Sequence, residues 1–379
     1  MAGISQDALY ADIDLELSWS EQELPQAART KHVHKLHPYL GKYVPQLVEV
    51  FLERYFAPGA CVYDPFVGSG TTLVEANAFG ADSVGADISV FNCLLSRVKV
   101  TQYSLGTLEL SLRSTLEEAR QAGPLPTNLG GKWLRRWYSK QALGELLRYR
   151  AVACARLDDH ALDVAKVILS RAARSARLTA HYDLDFPSSP MRQPYFCHKH
   201  RRVCTPVGEA AKFLARYTAD TVRRIREFDD VRTKRAVEVI HADSRTLDLP
   251  MPAHGIITSP PYPGLIDYHE QHRYAYELLE LEDRSEVEIG RARRGTSRQA
   301  LREYVEGMVA VFANASRQLP VGAPVVIVVN DSRGLYPDVL DNAGLRLERS
   351  VTRHVNRRTG RRAGQFFESV LVCNVAGRV

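Results

Sequence analysis

The stretch from Ala60 to Ile88 constrains the fold more than any other part of the chain. Ala60-Cys61-Val62-Tyr63-Asp64 reads as a short buried strand, separated by Pro58-Gly59 from an amphipathic helix over 45–56 that carries Pro45 in its first turn. The loop Asp64-Pro65-Phe66-Val67-Gly68-Ser69-Gly70-Thr71-Thr72 follows. A helical pattern then runs from Thr71 to Phe79, with Gly80 placed as its C-cap. Ser83-Val84-Gly85-Ala86-Asp87-Ile88 reads as a second strand ending in an acid. Strand, loop, helix and strand in this order open a doubly wound parallel sheet, whose ligands gather at the carboxyl ends of its strands.

Glycines in such a loop let the backbone approach a ligand closely. A Walker phosphate loop is excluded, because Thr71-Thr72 follows Gly70 where Lys-Ser/Thr is required. The dinucleotide pattern G-x-G-x-x-G fails as well, since Leu73 holds the third glycine position. What remains is a nucleoside site without a pyrophosphate, or a βα turn with no ligand. In the first reading Asp87, at the end of the next strand, accepts hydrogen bonds from ribose hydroxyls, and Asp64 faces the cationic amino group of a methionine moiety.

Ile256-Ile257-Thr258-Ser259-Pro260-Pro261-Tyr262 is the sharpest signal in the chain. Two consecutive prolines fix φ and remove two donors, which leaves rigid carbonyls pointing into a cleft. Acceptors so placed suit an aromatic amino group, whose lone pair is delocalised into its ring. The Ser259 hydroxyl and the Pro260 carbonyl draw that nitrogen toward sp³ and free it for in-line attack on an activated methyl. Tyr262 offers a face on which an extruded base stacks. The plain alternative is a Pro-rich turn after a strand.

Between these two signals the character changes. From about 105 to 235 helical patterns dominate, at 134–150, 161–177 and 208–228, with an irregular stretch at 183–206. Residues 131–235 hold 23 Lys and Arg against 11 Asp and Glu, so the whole positive balance of a +6 chain sits there. A localised basic stretch is what phosphate neutralisation requires, although a solvated helical surface has the same composition. After 235 the strand-and-turn rhythm resumes, with strands at 237–241, 255–258, 325–329 and 366–373 and helices at 273–281 and 297–317. The expected architecture is an α/β sheet in two parts, 1–105 and 236–379, split by a basic helical insertion at 106–235. No apolar run approaches the ~20 residues of a bilayer span. The first residues carry acids where a secretory leader is basic, so a cytoplasmic protein with reduced cysteines is expected.

In combination these motifs resemble the amino-methylating DNA methyltransferases, in particular their cytosine-N4 branch. Asp64-Pro65-Phe66-x-Gly68-x-Gly70-Thr71 is similar to that family's cofactor loop, and Ser259-Pro260-Pro261-Tyr262 to its catalytic tetrad. His37-Pro38-Tyr39-x-Gly41-Lys42-Tyr43-x-Pro45 is similar to the segment that covers the cofactor. The resemblance implies a Rossmann-like sheet and S-adenosylmethionine as cofactor. It implies a cofactor site from Tyr39, Lys42, Asp64, Phe66, Gly68, Gly70, Thr71, Thr72, Asp87, Ile88 and Asp243, with Asp243 toward the adenine. Its partners are double-stranded DNA, read largely by the insertion, and a restriction endonuclease acting on the same site. Serine at the first tetrad position points to cytosine. Adenine N6, an RNA or protein amide, and a non-catalytic DNA-binding protein are the rivals. A covalent cytosine-C5 route is not expected, because no Pro-Cys pair occurs.

Weaker constellations remain. Cys197-His198-Lys199-His200-x-x-x-Cys204 has metal-ligand types, with Cys154 the candidate fourth ligand, but no second cysteine pair closes the set. It reads as a packed loop whose basic residues face DNA, and no metal is expected. Asp267-Tyr268-His269-Glu270-Gln271-His272-Arg273-Tyr274 follows the tetrad and either lines the base pocket or packs a helix start. Trp133 and Trp137 lie one helical turn apart and read as core. Arg357 to Gly364 reads as a basic hairpin tip touching phosphate, or a solvated loop.

Overall fold

The computed structural model describes residues 15–20, 22–123, 130–185, 187–355 and 366–377, so the basic tip at 357–364 lies outside the described residues. A seven-stranded sheet forms the centre, in the order β5-β2-β1-β6-β7-β9-β8. Its strands are β1 (Cys61–Asp64), β2 (Asp82–Asp87), β5 (Val237–His241), β6 (Gly255–Thr258), β7 (Pro324–Val329), β8 (Leu345–Val355) and β9 (Phe366–Val375). Five run parallel, from β5 across to β7, and β9 is antiparallel to both β7 and β8. The remaining strands, β3 (Tyr195–Cys197) and β4 (Arg202–Cys204), make a separate hairpin inside the irregular stretch.

Strand alternation decides which helices cover which face. Val62, Ile257, Val326 and Val328 pack with Leu47, Val48 and Phe51 of α1 (Pro45–Tyr55). Their neighbours Tyr63, Ile256, Val325 and Ile327 point the other way. There they meet Met308 and Phe312 of α11 (Arg298–Ser316) and Val339 of α12 (Tyr336–Asn342). Helix α2 (Thr71–Phe79) fills the first crossover and ends at Gly80, which takes φ +91° as the sequence predicts.

The segment between β2 and β5 is mostly helical: α3 (Val90–Val100), α4 (Leu105–Gln121), α5 (Lys132–Trp137), α6 (Lys140–Arg156), α7 (Asp159–Ala176) and α8 (Ala211–Asp229); α9 (Tyr268–Gln271) and α10 (Arg273–Leu279) follow β6. One continuous core joins Phe91, Leu94 and Val98 of α3 to Leu112, Leu146, Ile168 and Ile225 from the later helices. The pattern over 134–150 predicts one helix where two form. Ser139 breaks it by capping α6, accepting a hydrogen bond from the Ala142 N–H at 3.0 Å. Strand β8 and helix α12 carry no clear sequence signal. β8 is an edge strand with a bulge between Leu347 and Arg349, and its charged, mostly exposed residues mask the alternation. Among the described residues no helix is long and apolar enough to cross a membrane.

Candidate active site

Because β1 and β6 are adjacent and parallel, the loops that leave their carboxyl ends start side by side. Asp64 ties them together. Its Oδ1 accepts from the Thr258 hydroxyl at 2.7 Å and from the Phe66 N–H at 3.1 Å, and its Oδ2 from the Thr72 hydroxyl at 2.5 Å. Tyr43 donates in turn to Thr72. Burial pushes the Asp64 carboxyl up to about 6, against the three donors that hold it. The structure places Asp64 and Thr72 behind the wall of the cleft, where they brace the glycine loop against the strand that carries the tetrad.

Gly70 belongs to the same framework. It starts α2 at φ +77°, and a Cβ there would lie 2.8 Å from Ser96 Oγ and 3.2 Å from its Cα, so only glycine lets α3 pack this close. Gly68, at φ +48°, lies instead on the cleft, where a Cβ would press on Tyr39 Oη at 3.1 Å.

A cleft with about 830 Å³ of empty volume, partly open to solvent, runs along this edge. Phe66, Gly68 and Thr71 line it from the glycine loop, Asp87 and Ile88 from the end of β2, Asp243 from the end of β5, Tyr39 and Lys42 from the leading segment, and Ser259 and Pro261 from the tetrad. The loop and the proline turn therefore share one cavity. Asp87 Oδ1 accepts from the Ser89 N–H at 2.8 Å, and Oδ2 from the Gly68 N–H at 3.0 Å and Asn92 Nδ2 at 3.1 Å. Burial raises its carboxyl, opposed by those same donors. Asp243 is held by Arg245, whose Nη2 lies 2.6 Å from Oδ2. Burial alone would raise the Asp243 carboxyl, and the guanidinium outweighs it and sets it low.

Two lysines lie near one another here, Lys42 on the cleft and Lys99 beneath the loop. Lys42 Nζ donates to the His34 carbonyl at 2.8 Å, and burial, with Lys35 nearby, brings it down to about 8. Lys99 donates to the Ser69 carbonyl, and burial followed by the Lys42 charge holds it well below the usual lysine range. Tyr39 stacks on Tyr268 at 5.6 Å and His272 at 5.4 Å, giving the cleft an aromatic wall. An acceptor pair at Asp87, a glycine-lined backbone at Gly68 and flat apolar walls at Tyr39 and Phe66 fit a nucleoside with a methionine tail.

Tyr268 and His269, from the segment that follows the tetrad, also line the cleft, as do Ser89, Asn92 and Glu288, which were not assigned from the sequence. Ser89 caps α3 by accepting from the Asn92 N–H at 3.1 Å, so Asp87-x-Ser89 carried a readable helix-start signal. Glu288 accepts from the Tyr268 N–H at 3.1 Å and meets His269 Nδ1 at 2.8 Å. Nothing in its acidic, surface-like sequence context announces this buried role.

Within the tetrad the side chains divide. Pro260 is buried. Tyr304 donates to the Pro261 carbonyl at 3.0 Å and braces the turn from α11. Tyr262 turns to a second cavity that it shares with Pro263, Asn330, Asp331 and Phe366. Its hydroxyl donates to Glu368 at 3.0 Å, and Glu368 is gripped by Arg353 at 3.0 Å. Burial, then the Glu368 charge, pushes the Tyr262 phenol far above its ordinary range.

The basic segment differs from its expected surface role. Arg171 bonds Asp220 and Thr221 and covers Tyr217 at 4.3 Å, and Arg177 lies over Tyr274 at 4.7 Å. Arg148, Arg150 and Arg232 donate to main-chain carbonyls. Much of the positive excess therefore glues helices to each other. Exposed cations concentrate at Lys132, Arg135, Arg136 and Lys140 around α5 and at Lys199, Arg201 and Arg202 on the hairpin. Trp137 is buried and Trp133 packs beside it at 5.7 Å, with the arginines between them outward, as the sequence predicts.

Comparison with known proteins gives the family. A family described as DNA methylase, of the N6/N4 class, matches residues 10–96. The type II methyltransferase M.MjaII of Methanocaldococcus jannaschii is 35% identical over 92% of this chain and 81% of its own length. M.MvaI of Kocuria varians is 36% identical over 21% of this chain and 20% of its own. Among solved structures, the rRNA methyltransferase aviRa of Streptomyces viridochromogenes aligns over 94% of both chains at 11% identity, with a TM-score of 0.36. The chain belongs to the amino-methylating DNA methyltransferases, which take their methyl group from S-adenosylmethionine.

Proposed function

We propose that the protein methylates cytosine at N4 in double-stranded DNA. The observation that supports this reading best is the single cleft holding both Gly68 and Ser259. When bound, S-adenosylmethionine supplies a methyl group activated by its sulfonium. Asp87 holds the ribose hydroxyls, and Gly68 lets the backbone lie close to the ligand. The target cytosine leaves the duplex, which costs a few kcal/mol of stacking, and Tyr262 with Phe366 receives its ring at about 1–3 kcal/mol per stacked base. Ser259 Oγ and the Pro260 carbonyl accept hydrogen bonds from the two amino N–H groups, drawing the lone pair out of the ring system for attack. The N–CH3 bond forms as the S–CH3 bond breaks, and the surplus amino proton passes to solvent. No covalent bond to the protein forms.

The exposed cations near α5 and on the hairpin neutralise phosphates, which makes residues 106–235 the region that docks and reads DNA. A companion endonuclease cutting the same site completes this reading, with the protein acting on cellular DNA in the cytoplasm. Adenine N6 is the rival within the class. Incubation with methyl-labelled cofactor and mixed-sequence duplex, then digestion to nucleosides, should give label in N4-methylcytosine. Label confined to N6-methyladenine would defeat the serine argument.

A further inference from the structure

The irregular stretch between α7 and α8 holds a cluster that the cleft does not use. His181, Cys197, His200 and Cys204 each bring one ligand atom to within 4.8 Å of all the others. Cys197 ends β3 and Cys204 ends β4, and the register Tyr195↔Cys204 and Cys197↔Arg202 puts both thiols on the same, buried face. His200 stands in the turn, where Arg201 takes φ +52° and reverses the chain. His181 arrives from the segment leaving α7, and its backbone N–H donates to the Tyr195 hydroxyl at 3.1 Å.

The distances point to a shared ion. Cys197 Sγ and Cys204 Sγ lie 3.6 and 3.5 Å from the same atom, His200 Nδ1. A ring nitrogen carries either one hydrogen or one lone pair, so it satisfies one sulfur at most. Around tetrahedral zinc, bonds of about 2.3 Å to sulfur and 2.0–2.1 Å to nitrogen set those ligand atoms about 3.6 Å apart. The fourth corner is supplied by His181, whose ring lies 4.8 Å from that of His200 and whose Nδ1 is buried without a hydrogen-bond partner. The local core is also small: Ala180, Tyr195 and the two cysteines, with Met191 against them. A cluster of that size orders little chain on its own, and a metal contributes what it lacks.

We propose that these four side chains form a structural zinc site that fixes the hairpin bearing Lys199, Arg201 and Arg202. Two thiolates and two imidazoles neutralise the ion and close its coordination, leaving no open position for chemistry. This revises the reading from spacing alone, which expected no metal and had only Cys154 to offer as a fourth ligand. That residue is exposed on α6 and stands outside the cluster. The other group of ligand types, His32, His34 and Glu75, is different in kind, since the Lys31 ammonium already sits 2.8 Å from Glu75.

The test uses the full chain, expressed with zinc in the medium and assayed by elemental mass spectrometry. About one zinc per chain is expected. Exchange for Co²⁺ should give the visible bands of a tetrahedral site and a near-ultraviolet thiolate charge-transfer band. Cys197→Ser combined with Cys204→Ser should lose metal and bands, whereas Cys154→Ser keeps both. If the double variant does not fold, the cobalt spectrum of the wild-type chain decides. A metal-free wild-type protein lacking those bands, a Cys197–Cys204 disulfide, or zinc retained by the double variant would overturn the assignment.

Discussion

The carboxyl edge of the sheet and the helical insertion use charged residues in opposite ways. At the edge, carboxylates are held by donors and still line a cavity: Asp87 takes three hydrogen bonds and remains on the cleft. In the insertion, charge is spent on assembly, as where Arg171 binds Asp220 and Thr221 between α7 and α8. A group left facing a cavity can serve a ligand, and one consumed by its neighbours serves the fold. Net charge therefore overstates how much of the insertion's positive charge faces outward, whereas the two spaced motifs meet at one cleft.

Substitutions at the edge should change chemistry and leave the fold intact. The largest effect is expected for Ser259→Ala, with turnover falling about 10²–10³-fold, the usual cost of removing one polar group that acts in the transition state. Cofactor affinity measured by calorimetry should be unchanged. Equal loss of binding would make Ser259 part of the framework and erase the contrast. Asp87→Ala should weaken cofactor binding about 100-fold, in line with losing charge-assisted hydrogen bonds worth about 1.5–3 kcal/mol each. Circular dichroism should show the fold retained.

The aromatic wall gives a pH-dependent version of the same contrast. Burial, opposed by the hydrogen bond to the Tyr268 carbonyl, brings His272 down to about 3, so it stays neutral in the folded chain. The unfolded chain takes up that proton below about 6.5, so stability falls as pH drops through the window between the two values. Asp64 has the reverse sign. Its folded carboxyl, raised to about 6, keeps its proton to higher pH, so acidification between about 6 and 3.9 stabilises. Comparing variants isolates one group: between pH 7 and 5 the wild type should lose about 2 kcal/mol more than His272→Gln in denaturant unfolding. Equal losses would mean that His272 is charged in the fold.

The smallest effect lies on the insertion. Replacing Lys199, Arg201 and Arg202 by alanine should lower the slope of log affinity against log salt by about 2–3 for duplex DNA. Arg171→Met should destabilise the chain and leave that slope unchanged. An altered slope for Arg171→Met alone would place the internal arginines on the DNA surface after all.

The edge was legible because its constraints are local. A strand must end where Pro65 and Gly68 begin, and two prolines after Thr258 fix a turn wherever the strand lies. Sequence order then suffices to put Gly68 and Ser259 on one rim once β1 and β6 pair. Its fine structure was less legible. Asp64 has the composition of a ligand contact, but its carboxylate is taken by Thr72 and Thr258, the latter distant in sequence. Glu288 enters the cleft through a tertiary contact that no spacing encodes. In the insertion, His181 and Cys197 meet only because the chain folds back between them, and β8 hides its pattern beneath exposed charges.

The most direct measurement is a crystal structure of the protein with S-adenosylhomocysteine. The ribose is expected within hydrogen-bond distance of Asp87, with the sulfur directed toward Ser259 and Pro261. A ligand seated elsewhere, or a sulfur facing away from the proline turn, would contradict a shared cleft for donor and acceptor.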